Sequence, residues 1–215
     1  MKTFKALSAL LNYPSAELQE AVGDIRRVLT EERQVPTDTL APLLSRLREI
    51  DLFELQADYV DLFDRTPRLS LYLFEHIHGD SRERGRAMVD LHRLYRRHGL
   101  ELDTRELPDY LPLFLEFLST LPGDEAQTLL AETVHILTAL ETRLTERGSE
   151  YAAVLTALVK LADTQPDPRA VAGLRNLPDA APETLDQEWE EAPVSFGPGC
   201  EPGKHMERPL AAKRK

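Results

Sequence analysis

Apolar residues recur at intervals of three and four through most of residues 4–161, and strand-like alternation is almost absent, so this chain can bury its side chains only as packed helices. Phe4, Leu7, Leu10 and Leu11 form a first short stripe stopped by Pro14. Ser15 is placed to cap a longer helix with Leu18, Val22, Ile25 and Leu29 on one face. Beyond Pro36 the pattern returns in Leu40, Leu43, Leu44, Leu47 and Ile50, then in Leu52, Leu55, Tyr59, Leu62 and Phe63, ending near Pro67. Asp80 with Glu83 reads as a capping box for a helix from Ser81 to about His98, closed by Gly99 as a left-handed C-cap. Leu107 to Leu121 is apolar enough to be the central helix, starting near Pro112 or kinked there. Asp124 with Gln127 repeats the capping-box logic for a long helix to Gly148, and Ser149 caps a last one through Leu161. The expectation is an all-α fold, a compact bundle of eight to nine helices over residues 1–164.

From Gln165 the pattern changes. Prolines recur at 166, 168, 178, 182, 193, 198, 202 and 209, and Glu183 to Glu191 is rich in acids, so 165–215 is expected to be a disordered C-terminal tail. Trp189 and Phe196 stand out in it as candidate anchors. A formal charge of -11 argues against a duplex nucleic-acid binder and favours a basic polypeptide as partner. The single Cys200 allows no internal disulfide and no thiolate metal centre, which points to a cytoplasmic protein. The start MKTFKALSALLNYPS shows no cleavage site, and no apolar run approaches the ~20 residues that cross a bilayer. Direct membrane insertion is therefore not expected.

The connector SLYLFEHIHG, between the stripe ending at Phe63 and the helix at Ser81, is too aromatic for an ordinary solvated loop. Packing across the helices, or forming the wall of a groove, suits it better. Glu75, His76, His78 and Asp80 are metal-ligand types, but a loop His-x-His lacks the geometry of a helical i, i+4 pair and no second cluster completes it, so no metal is expected. Arg82 and Arg86 share a helix face near its N-terminus and are candidate phosphate contacts; a solvated face balanced by Asp80 and Glu83 is the simpler reading. No Gly-rich phosphate loop, nucleophile elbow or His-Glu zinc motif occurs. The Pro108-Asp109-Tyr110 turn sets an acid and an aromatic at the mouth of the most apolar helix. That mixture suits peptide binding, although Asp109 can equally serve the helix dipole, and both readings stay open.

The block LFEHIHGDSRERGRAM, Leu73 to Met88, together with ELPDYLPLFLEFL, Glu106 to Leu118, resembles the NarJ-type nitrate reductase assembly chaperones, the delta subunits, within the wider TorD-like group. The resemblance runs through most of residues 1–162. One departure is Tyr110, where the wider group commonly has a His after the Pro-acid pair, so any role of that His does not transfer. The resemblance implies a non-catalytic cytoplasmic chaperone of anaerobic nitrate respiration and assimilation, with no cofactor of its own. Such a protein would bind the apo catalytic (alpha) subunit of respiratory nitrate reductase, including its N-terminal segment, and hold it for molybdenum cofactor insertion before membrane attachment. Molybdenum cofactor biosynthesis proteins are further implied partners. The client-peptide groove is expected at Tyr59, Phe63, Tyr72, Phe74, Glu75, His76 and Asp109. Two readings of other classes stand beside it: a nucleotide-binding or hydrolysing switch using Arg82 to Arg86, and a helical structural or regulatory subunit.

Overall fold

A computed structural model describes residues 1–78, 81–102 and 106–175. Among the described residues there are eleven α-helices and no strands beyond one isolated bridge, which bears out the all-α expectation. Helix α1 (Lys2–Leu11) lies against α7 (Leu111–Thr120) at the centre, and Leu7, Leu10, Leu11, Leu111, Leu115 and Leu118 are fully buried between them and their neighbours. Pro112 falls in the first turn of α7, where a missing N–H costs no hydrogen bond, so the helix starts there without a kink. The Ser8 hydroxyl donates to the Pro112 carbonyl at 2.7 Å and so satisfies a buried acceptor inside this pair.

Helix α2 (Ala16–Glu32) packs beside α1 and α3 (Thr37–Glu49) beside α2, and α2 begins as the sequence implies, with Ser15 Oγ accepting from the Leu18 amide at 3.2 Å. At its other end the Glu32 carboxylate accepts from the Lys2 and Thr3 amides at 3.0 and 2.8 Å. One helix thus caps the free N–H groups of another. Helix α4 (Leu52–Tyr59) runs on into a π turn, Val60–Asp64, and a 3-10 turn, Pro67–Leu69. The connector then crosses to a single turn, α5 (Glu75–His78), and to α6 (Arg82–Arg97), which Gly99 closes at φ 76°. Helices α8 (Gly123–Glu132), α9 (Val134–Glu146), α10 (Ala152–Ala162) and α11 (Pro168–Arg175) complete the described chain.

The count exceeds the expected eight or nine for three local reasons. The connector contains the one-turn α5, the long helix expected from Asp124 to Gly148 breaks at Thr133 (φ -97°, ψ -1°), and α11 lies where a disordered tail was expected to begin. Three caps also differ, the first at α10, whose N-cap residue is Tyr151 with no capping side chain, where Ser149 was expected. Pro122 precedes α8 and no side chain caps it, so the Asp124–Gln127 box does not form; Gln127 donates instead to the Leu161 carbonyl at 3.2 Å. The N-cap residue of α6 is Ser81, while Asp80 lies outside the described residues, as do Trp189, Phe196 and all of the tail beyond 175.

Candidate functional site: an aromatic cleft

The connector is pinned to the start of α7 by two backbone hydrogen bonds, Leu73 N–H to Asp109 at 3.0 Å and Leu111 N–H to Leu71 at 2.8 Å, around an antiparallel bridge between Tyr72 and Tyr110. This brings the rings of Tyr72 and Tyr110 to 5.2 Å. Across from them α4 and its π turn present Tyr59, Phe63 and Asp64, and the α1–α2 corner adds Tyr13, half exposed, its ring edge-on to Tyr59 at 5.5 Å. Together these residues, with Leu71 and Glu106, line a cleft of about 260 Å³. The π turn matters to its shape, because the extra residue per turn re-aims the chain that carries Phe63 and Asp64.

Hydrogen bonds fix the cleft's walls. The Tyr59 hydroxyl donates to the Leu11 carbonyl at 2.8 Å and lies 3.1 Å from the Tyr110 hydroxyl, and the Tyr72 hydroxyl donates to Glu106 Oε2 at 2.7 Å. Burial raises the phenol pKa of Tyr59, Tyr72 and Tyr110 above its ordinary value, with Glu106 adding to the effect at Tyr72, so all three stay protonated. The lining therefore offers ring faces, neutral hydroxyls and two carboxylates, Asp64 and Glu106, with no cation among them.

Of the seven residues expected to form a groove, the structure brings Tyr59, Phe63 and Tyr72 together here. The other four sit elsewhere. Phe74 is half-buried with its amide donating to Asp109 Oδ2 at 2.9 Å; Glu75 pairs with Arg84 at 3.0 Å; His76 is buried with Nε2 2.8 Å from the Ser70 carbonyl. Asp109, expected to face a partner, is 0% exposed, and burial raises its carboxyl pKa against the Phe74 amide, which lowers it. An acid at the start of a helix is exposed only if the turn points outward, and here the bridge turns it inward. His76 borders a separate cavity of about 460 Å³ with His135, Ile136 and the α11 residues Ala170, Gly173 and Leu174. The candidate phosphate contacts Arg82 and Arg86 are exposed on α6, away from the cleft.

Sequence reasoning missed Tyr13, Asp64, Leu71, Glu106 and Tyr110 as members of the site, although the turn holding Tyr110 was singled out. An aromatic directly before Pro14 at a helix corner was the available signal for Tyr13; for the two acids, nothing in their spacing marks them. No group of three or more His, Cys, Asp or Glu is placed to hold a metal ion among the described residues, and none of their helices is long and apolar enough to cross a membrane.

A family model described as the nitrate reductase delta subunit matches residues 13–157. The nitrate reductase molybdenum cofactor assembly chaperone NarJ of Escherichia coli K12 is 43% identical over 195 residues, covering 88% of this chain and 83% of the relative. The probable chaperone NarW of the same organism is 39% identical over 198 residues, 91% and 84% of the two chains. A probable NarJ of Bacillus subtilis is 31% identical over 159 residues, 73% and 86% of the two chains.

Proposed function

Because the chain belongs to the nitrate reductase delta subunit family, we propose that it holds the apo catalytic subunit of a nitrate reductase in the cytoplasm until molybdenum cofactor is inserted, gripping that subunit's N-terminal segment in the tyrosine cleft. The family is one of assembly chaperones, and the protein is not an enzyme. The observation that carries the finer reading is the composition of the cleft. Tyr13, Tyr59, Phe63, Tyr72 and Tyr110 supply rigid apolar area at low entropy cost, and Asp64 with Glu106 supplies orientation for basic side chains. Phe74, Glu75, His76 and Asp109 do not line the cleft; in this reading they hold the connector that forms one of its walls.

Release requires modest affinity. Micromolar binding, about -8 kcal/mol, suits a chaperone that lets its client go. Titration calorimetry with a peptide copying the N-terminus of the alpha subunit tests this. Asp64→Lys with Glu106→Lys should weaken binding while leaving helical content intact, each exposed acid counting for ~1 kcal/mol. Unchanged affinity in the folded double variant at low salt would remove the cleft from the proposal, and no heat with the wild-type chain would remove the peptide.

A further inference from the structure

Helix α6 carries Arg82, Arg86, Arg93, Arg96 and Arg97, all exposed. At 100° per residue the five fall within about 100° of arc, in a stripe roughly 22 Å long. Asp90, at the edge of this arc, is tied to Arg93 at 3.1 Å. Arg82, Arg86, Arg96 and Arg97 have no ion pair among the described residues.

Arg96 and Arg97 in the last turn suit the macrodipole and Arg93 has Asp90, but the rest of the stripe brings the fold no gain. Arg82 is the first residue of the helix, where the macrodipole disfavours cations. The pairs Arg82–Arg86 and Arg93–Arg97 are like charges at i, i+4, which repel. Gly85 sits on the same exposed side of the helix interior with nothing within 4 Å of where a Cβ would be, so no close contact in the fold calls for a glycine there. Val89, in the middle of the stripe, is 49% exposed. The first-turn cation, the like-charge pairs, the interior glycine and the exposed valine bring the isolated protein no gain, and each makes sense against an anionic partner.

We infer that the outer face of α6 is a docking surface for an anionic lipid bilayer. A long stripe on a convex helix matches an extended negative plane better than a single small anion, and clustered arginines on an amphipathic helix are the pattern that anionic headgroups attract. Val89 adds an apolar contact at the headgroup boundary, and Gly85 leaves room for close approach. The chain as a whole carries -11, so its net charge opposes non-specific approach to the same membrane and a concentrated basic face is needed to dock. Docking is peripheral, oriented and sensitive to salt. It is independent of the client reading, since none of these arginines lines the tyrosine cleft.

Co-sedimentation of the full chain with vesicles of three parts phosphatidylethanolamine to one of phosphatidylglycerol, against pure phosphatidylcholine, tests the inference. The wild-type chain should pellet with the anionic vesicles at about 50 mM NaCl and be released by about 300 mM. Arg82→Gln, Arg93→Gln and Arg97→Gln together should lower the binding by about a hundredfold, the matching triple change to Lys should keep it, and Arg26→Gln, Arg33→Gln and Arg48→Gln should leave it unchanged. Should the glutamine variant lose helical content, the lysine variant and the wild-type salt titration decide the matter. No pelleting, equal pelleting with phosphatidylcholine, or wild-type binding by the folded glutamine variant overturns the inference. Displacement by inorganic phosphate or polyglutamate beyond the effect of equal ionic strength does so too, and assigns the face to a free anion or an acidic protein.

Discussion

Asp109 is fully buried and its Oδ2 accepts from the Phe74 amide at 2.9 Å, so its side chain joins the connector to the start of α7. Asp109→Ala should leave that amide without a partner and cost about 1–3 kcal/mol in urea unfolding. Asp109→Lys should go further and prevent folding, because a cation would be forced into a site closed to water. Glu32 behaves oppositely to Asp109. Partial burial works to raise its pKa, but hydrogen bonds from the Thr3 hydroxyl and the Thr3 and Lys2 amides outweigh that and hold it below its ordinary value of 4.5. Its contribution is therefore present above pH 4.5 and lost as pH falls through the lower folded value. The gap in thermal midpoint between wild type and Glu32→Ala should narrow over that acidic range; a gap independent of pH would show that the carboxylate's charge is not what matters. At this scale the sequence displayed Tyr59 and Phe63 as members of an apolar stripe, and Tyr72 as an aromatic in an unusual connector. Which way Asp109 faces depends on a bridge between residues 38 positions apart, Tyr72 and Tyr110, and no local pattern reports that.

Helix α11 is where element-level reading of the sequence failed, for a specific reason. Pro166 and Pro168 read as the beginning of a tail, yet Pro168 is the first residue of the helix, a position at which proline is favoured. The side chain of Arg143 on α9, itself buried, donates to the carbonyls of Arg68 and Leu174 and so ties α11 to the bundle. The Asp167 amide adds a bond to His135 Nδ1 at 3.1 Å. Truncation after Thr164 should then lower the thermal midpoint by roughly 4–8 °C, since about 1–3 kcal/mol of buried hydrogen bonding and the contacts of α11 are lost. Truncation after Arg175 is expected to be nearly neutral. Equal midpoints for the two shortened chains would mean that α11 contributes little. The other helices, the one-turn α5 apart, were legible because their 3.6-residue period is set by burial on one face, which sequence records directly; the break at Thr133 was not, because apolar spacing runs through it from Leu130 to Leu137.

For the molecule as a whole, family membership and the tyrosine cleft point the same way: a helical scaffold offers an aromatic, acid-edged recess and places a π turn and a backbone bridge around it. Fold class and family were legible in the sequence, since both rest on periodicity and on long contiguous motifs. The recess was legible only in part, because its walls come from the α1–α2 corner, the end of α4, the connector and the start of α7, four segments that are distant in sequence. The measurement that bears most directly on the central claim is photocrosslinking from within the recess. With a benzophenone amino acid in place of Tyr13, and separately of Arg27 on the exposed face of α2, the chain is mixed with apo catalytic subunit of nitrate reductase and the joined peptides are identified by mass spectrometry. Crosslinks from position 13 to the N-terminal segment of that subunit, and none from position 27, are the predicted result. Binding of the subunit with crosslinks only elsewhere on the chaperone, or crosslinks from position 13 to other parts of the subunit, would contradict it.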